Sequence, residues 1–531
     1  MTSVSTVAPS PSTGSGQRHL GWALVLITIA QLMVVLDASI ANIALPYIGR
    51  DLDIAPANLS WIVTGYSLAF GGLLLLGGRL GDLYGRRRLF MIGVSLFAVA
   101  SLVGGLAQSE IMLLCSRGMQ GVGAAIASPA ALALITTNFP AGPQRSRAFS
   151  VYATMSGVGA AVGLILGGWL TGLHPHLLGT GIDGWRLTFL INVPIGLAAA
   201  FAAPKLLAES ESHPGELDLP GALSATLGLV AIVFGLTRAG DHRYGWGDTW
   251  TDVALVVGVA LLAVFVLIER RATHPLLPFR ILANRSRATS FAVMALVPAA
   301  MFSMFFFLSL FVQNVMGYSP IKAGVAFLPF AFGMVAAATI SSKLVARVDP
   351  RWLAGAGTAM AGVALFGFSR IPYDDQVGHL AINAHYFTDI MPFILLMSFG
   401  MGMTFVPLTL TALHGVGARD SGIGSGVLNT AQQVGGALGL ATLSTVSVHF
   451  LQSKTIELTT AVHSAPGGTP DPDKLRALQQ MIGRVAFTEG ATHAFLAGAA
   501  MIWLGTLITL VFLNVKHEAL NTDDTTEVVA V

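Results

Sequence analysis

Gly78-Arg-Leu-Gly-Asp-Leu-Tyr-Gly-Arg-Arg-Arg-Leu-Phe90 is a short polar stretch between two apolar runs, 60–78 and 89–107. Each run approaches the roughly 20 residues a helix needs to cross the hydrocarbon of a bilayer. Three consecutive arginines (Arg86, Arg87, Arg88) mark the turn as cytoplasmic, because Lys and Arg gather in loops on that side. Gly85 permits a tight turn and Gly81 a close approach of backbone. Asp82 is placed to meet a helix N-terminus or a nearby arginine. The same ruler, carried outward in both directions, finds fourteen apolar runs, from 21–46 to 492–514. The expected fold is an all-α membrane protein.

Composition agrees. The chain has 531 residues, of which 54% are hydrophobic and 11% charged, and its mean hydropathy is +0.71. Soluble domains carry about a quarter charged residues, so a soluble multidomain protein and a disordered chain are both excluded. The net charge of +2 comes with no basic tract to grip nucleic acid. A single cysteine, Cys115, rules out an internal disulfide and any cysteine-based metal cluster. The 60 glycines in so apolar a chain point to closely packed helices in lipid.

Charge clusters at 79–88 and 343–351 each follow the second span of a block of six. That spacing predicts two six-helix bundles, 20–207 and 286–515, joined by a linker (208–285) with two extra transmembrane helices. Residues 1–19 and 516–531 are expected to be cytoplasmic tails, the first disordered. The loop 447–491 is expected to hold one short amphipathic surface helix at 473–487. A repeated half suits alternating access, in which a site at the repeat interface opens to either side.

Two formal charges lie deep within spans, Asp37 and Arg117. Each costs about 2.5–3.5 kcal/mol at the bilayer centre on the insertion scale, so each needs a reason. Asp37 shares a helix face with Ala30, Ala41 and Ala44, and Arg117 shares one with Gly121, Ala124 and Ser128. Both faces are made of small residues and point inward. One reading is that Asp37 binds and releases a coupling proton while Arg117 biases it; the other is a structural ion pair. The first requires that water reach Asp37, and a carboxylate locked in the dry seam of one lobe with no water route would end it. Gln31 and Asn42 lie on other faces of the same helix.

The 78–90 stretch resembles the signature loop of the major facilitator superfamily, with Gly78, Gly81, Asp82, Gly85, Arg86 and Arg87 as the cytoplasmic gate motif. Leu36-Asp-Ala-Ser-Ile-Ala-Asn-Ile-Ala-Leu-Pro46 looks like the first-helix motif of its 14-span drug:proton antiporters. Residues 113–125, with Arg117, Gln120 and Gly121, resemble the fourth-helix motif linked to proton transfer. Trp185-Arg-Leu-Thr-Phe-Leu-Ile-Asn-Val-Pro-Ile-Gly196 and residues 269–277 are also similar to that family. The antiporter motif of the fifth helix is matched at Gly159, Gly163, Gly167 and Gly168, but Leu164 stands where the motif has proline. The resemblance implies that Asp82 closes the cytoplasmic side by meeting span 13 near Ser421.

Asn429, Gln432 and Gln433 fall on one face of span 13 with Ser425 and Gly436, and join Gln31 and Asn42 as candidates for the substrate path. With Asp37 the only deep carboxylate, a neutral or monocationic amphipath fits better than a dication. Phe302, Phe305, Phe306, Phe307 and Phe311 cover too many helix faces for one binding stripe and read as packing. His174-Pro-His176 is too small a set for a metal site. No phosphate-binding GxxxxGK[ST] loop occurs. The expectation is a proton-coupled exporter of small amphipathic compounds, without cofactor, working as a monomer in the cell membrane with both termini cytoplasmic. An importing proton symporter on the same fold is the alternative. A membrane-embedded enzyme or sensor is more remote, since no convergent catalytic cluster appears.

Overall fold

The computed structural model describes residues 14–140, 142–177, 180–210, 216–376, 379–416, 421–464 and 472–520. Twelve helices there are long and apolar enough to cross a membrane. Pro143–Thr171, whose apolar part is Gly159–Thr171, and the buried Pro350–Phe368 bring the count to fourteen. In chain order the first half is α1 (Gly14–Asp51), α2 (Trp61–Tyr84), α3 (Arg86–Gly105), α4 (Glu110–Asn138), α5 (Pro143–Thr171) and α6 (Gly184–Leu206). Next come α7 (Leu219–Gly240) and α8 (Thr249–Arg271). The second half is α9 (Arg285–Val315), α10 (Pro320–Leu344), α11 (Pro350–Phe368), α12 (Tyr386–Leu413), α13 (Ser421–Ser464) and α14 (Pro472–Phe512). The chain is a multi-pass membrane protein. Below, the face where α1 begins is the inner face and the opposite one the outer face.

Local signals set the helix ends. Ser109 accepts from the Met112 amide to start α4, Asp248 from Thr251 to start α8, and Asn284 from Arg287 to start α9. Proline breaks two spans: α6 is interrupted at Ile191, three residues before Pro194, and α10 at Phe327, two before Pro329. Small residues fix the packing. A β-carbon at Gly77 of α2 would overlap the Ala125 carbonyl of α4, and one at Gly93 of α3 would sit 2.6 Å from the Ala127 amide.

The inserted pair α7–α8 docks on the flank of the α2–α13 contact. Leu229 and Val233 of α7 pack with Leu68 of α2 and with Ala437 and Ala441 of α13. Thr445 of α13 donates to the Leu236 carbonyl of α7 at 2.7 Å. Most of α8's apolar surface is exposed, including Trp250, Val256 and Val259.

Two expectations change. The first helix starts at Gly14, so residues 14–19 of the supposed tail are helical, while residues 1–13 and 521–531 lie outside the described residues. The supposed loop 447–491 is largely a continuation of α13 and α14, and 473–487 is not a separate surface helix. These helices have 44 and 41 residues, which at 1.5 Å per residue is about twice the ~30 Å hydrocarbon thickness. Their outer ends pack Leu458, Ile482 and Val485 together with Tyr373 and Ile382. Those last two belong to a hairpin of β3 (Tyr373–Asp374) and β4 (Ala381–Ile382); the earlier small hairpin pairs β1 (His176–Leu177) with β2 (Thr180–Gly181). Lys454 of α13 bonds Asp375 at 2.5 Å and holds its carboxyl below the usual carboxylate range. The polar surface of this cap hid its helical continuity from a hydropathy reading.

Candidate functional site

Asp37 and Arg117, 80 residues apart, meet in the first half. Arg117 Nη1 donates to Asp37 Oδ2 at 2.5 Å, and the side chains are 1% and 2% exposed. Gln120 of α4 and Asn192 of α6 each donate an amide N–H to Asp37 Oδ1 at 3.0 Å. Arg117 also donates from Nε to the Ile62 carbonyl of α2 at 2.8 Å and from Nη1 to Gln120 Oε1 at 2.9 Å. Its guanidinium lies 4.5 Å from the centre of the Tyr66 ring, a favourable cation–π distance. Gln120 reaches Ser101 of α3 at 2.7 Å.

The small residues around the pair make this geometry possible. Ala30, Ala41 and Ala44 are all buried beside Asp37. A β-carbon at Gly121 would lie 2.5 Å from the Tyr66 carbonyl, so α2 and α4 approach closely enough for Arg117 to reach backbone. A buried ion pair is tolerable only when its remaining hydrogen-bonding capacity is filled. Asp37 has three donors and Arg117 three acceptors. The Asn192 Oδ1 and Tyr66 hydroxyl atoms are buried without a partner. All these groups belong to the first half, so in this state the carboxylate is closed off from solvent.

Sequence reading placed Asp37 and Arg117 on interior faces. Gln120 and Asn192 stood in quoted motifs without an assigned contact, and Ser101 and Tyr66 were missed. Nothing in a single helix's periodicity says which neighbour its polar residue will face.

The 78–90 loop clasps the inner ends of the first half. Gly85 has φ +95°, in the region that favours glycine. Asp82 accepts from Arg86 at 3.2 Å, and Arg86 also reaches Thr136 of α4 at 3.2 Å. The Arg87 amide donates to Glu209 at 3.0 Å, and its guanidinium to the Leu207 carbonyl at 3.1 Å. The implied meeting of Asp82 with Ser421 falls on a side chain outside the described residues. No tight backbone approach occurs at Gly81 or Gly78, where the nearest atoms to a β-carbon are 3.9 and 3.7 Å away. Gly77 makes that approach instead. Gly85→Ala is expected to cost about 1–3 kcal/mol of stability from the positive φ, with a further clash against Glu209 2.7 Å from the new methyl. The melting temperature of the solubilised protein measures it, and an unchanged value would show that the turn relaxes freely.

The fifth-helix glycines divide by role. Gly159, Gly163 and Gly167 seat α5 on Leu32, Ser39 and Ile40 of α1, whereas Gly168 faces the Pro320 carbonyl of α10, 2.5 Å from a β-carbon. Leu164, in the proline position, is 3% exposed, and its carbonyl abuts Gly324 of α10.

The five polar residues expected on a substrate path have different surroundings. Gln31 accepts from Tyr152 of α5 at 2.7 Å and Ser128 of α4 at 3.4 Å. The Asn42 backbone joins the outer contact between halves, where its carbonyl accepts from Ser309 of α9. Asn429 is exposed and donates to the Ser425 carbonyl within its own helix. Gln433 packs against Gly71 of α2, Gly436 against Phe302 of α9, and Gln432 is half-buried. Phe306, Phe307 and Phe311 are buried core, and Phe305 lies tilted against Phe327 and edge-on to Phe330.

Two six-helix halves meet at their outer ends and along α2 and α13, and a saturated ion pair lies inside one of them. That architecture is a polytopic membrane carrier. The chain belongs to the Major Facilitator Superfamily, which its residues 27–440 match. It is 42% identical over 429 residues to the puromycin resistance protein pur8 of Streptomyces alboniger, covering 80% of this chain and 81% of that protein. It is 39% identical to the cephamycin export protein CmcT of Amycolatopsis lactamdurans, covering 80% and 84%. Among solved structures, a bacterial homologue of the human lysosomal transporter Spinster, inward-facing and unoccupied, superposes with a TM-score of 0.67 at 17% identity, covering 97% and 99%.

Proposed function

We propose that this chain is a proton-driven exporter of small amphipathic compounds, working by alternating access of its two halves. The inner face is then cytoplasmic and carries both termini. The proton gradient supplies the energy without a cofactor, one chain suffices, and no chemistry is done on the cargo. Export is favoured by relatives named for resistance to puromycin and export of cephamycin. Proton coupling is favoured by one observation, the Asp37–Arg117 pair, a charged pair buried within membrane-spanning helices and one that protonation would split. Because Asp37 is 2% exposed, coupling requires that opening the outer face hydrate the pair.

The completeness of its hydrogen bonding within one half favours a second reading, a structural clamp that never titrates during transport. Inside-out vesicles test the first. An acid-inside gradient is expected to drive labelled puromycin, used as a probe, inward against its own gradient. Stimulation only by the opposite gradient would identify a symporter. Facilitated flux indifferent to either gradient would leave the clamp.

A further inference from the structure

Pro46 lies inside α1. Without an N–H it cannot donate to the carbonyl four residues back, that of Asn42, and its ring turns that carbonyl away from the helix. Within a bilayer a freed carbonyl must find another donor. Here the donor comes from the other half. Ser309 Oγ of α9 donates to the Asn42 carbonyl at 2.6 Å. Gln313 Nε2 donates to the neighbouring Ile43 carbonyl at 3.1 Å and ties back to Ser309 Oγ at 3.0 Å.

Gln313 belongs to a widened π turn, Phe311–Val315, where the Met316 amide reaches the Phe311 carbonyl. Such turns recur at functional sites because they re-aim side chains. On the outward side of this junction, Arg50 donates to Asn314 Oδ1 at 2.5 Å. On its inward side, Asp37 precedes Asn42 by five residues, about 7.5 Å of helix.

We infer that Pro46, Ser309 and Gln313 form an outer latch, in which proline frees a carbonyl of one half so that a hydroxyl and an amide of the other half hold it. Asn42 Oδ1 and Gln313 Oε1 are buried there without a hydrogen-bond partner. Opening gives both atoms water while breaking the bonds between halves, so the latch is balanced rather than locked. The inference rests on alternating access by the two halves and on neither the cargo nor the proton.

The test uses the full chain with Cys115→Ser and a reporter, Ala38→Cys. Ala38 is exposed and lies four residues before Asn42, on the same helix face just inward of the latch. A membrane-impermeant maleimide is applied to right-side-out and to inside-out vesicles. Pro46→Ala, Ser309→Ala and Gln313→Leu are each expected to raise labelling from outside about fivefold, the population change carried by one net hydrogen bond. Labelling from inside is expected to fall in step. Ser309→Thr, which keeps the hydroxyl, is expected to label at the parent rate. Unchanged outside labelling in all three variants would overturn the latch, and so would a rise from both sides at once, the mark of a loosened fold. These readouts contain no substrate and no gradient, so they stand apart from the export assay.

Discussion

Asp37→Asn is expected to abolish gradient-driven transport, by at least a hundredfold, and also to lower the melting temperature. The two effects have different causes. An amide in place of the carboxylate can neither take up nor release a proton, so any coupling that runs through this pair is removed outright. The replacement also leaves Arg117, 1% exposed, with no counter-charge. Breaking one side of a buried pair costs about 3–5 kcal/mol. Stability and coupling must therefore be separated. The double variant Asp37→Asn with Arg117→Met removes both charges, keeps an unbranched side chain beside Tyr66, and is expected to recover much of the stability but none of the gradient-driven flux. If the double variant transports again, the pair is a clamp and the proton reading fails. Asp37→Asn pumping at the parent rate would sink it sooner.

A second contrast sets two glycines against each other. Gly77→Val is expected to yield almost no folded protein, because its β-carbon would overlap the Ala125 carbonyl in the α2–α4 contact inside one half. No flexible side chain stands there to move aside. Gly168→Val meets backbone too, the Pro320 carbonyl at 2.5 Å, but that carbonyl belongs to the other half. The halves can part without unfolding. Gly168→Val is therefore expected to insert and melt within a few degrees of the parent while losing transport, because the outer ends no longer close. Recovery in the membrane, melting temperature and vesicle uptake together decide the matter. Equal loss of folded protein from both substitutions would mean that the α5–α10 contact is part of the fold itself.

The architecture was readable from apolar run length because the bilayer imposes a single ruler on every span. It was misread only where that ruler has no authority. The outer parts of α13 and α14 are polar on one face, so hydropathy reported a loop where helices continue. Asp37 and Arg117 were visible because charge in oil is costly enough to stand out. Asn192 was not, since an amide beside a proline break looks like any interhelical hydrogen bond until the partner helix is known. How Gln31, Asn42, Asn429, Gln432 and Gln433 stand relative to one another across helices was illegible for the same reason. Periodicity orders residues around one axis and says nothing about where the next axis stands. Gly81 was credited with a close approach that Gly77, one turn earlier, makes.

The position of α7 has a consequence for traffic. Two rocking lobes leave a slot on either side through which an oily molecule already dissolved in the membrane could slip into the centre. On one flank α2 and α13 are already in contact, and α7 covers that seam from the lipid side, touching Leu68 of one helix and Ala437 of the other. A molecule dissolved in the bilayer on that flank therefore meets the inserted helix before it meets the boundary between the halves.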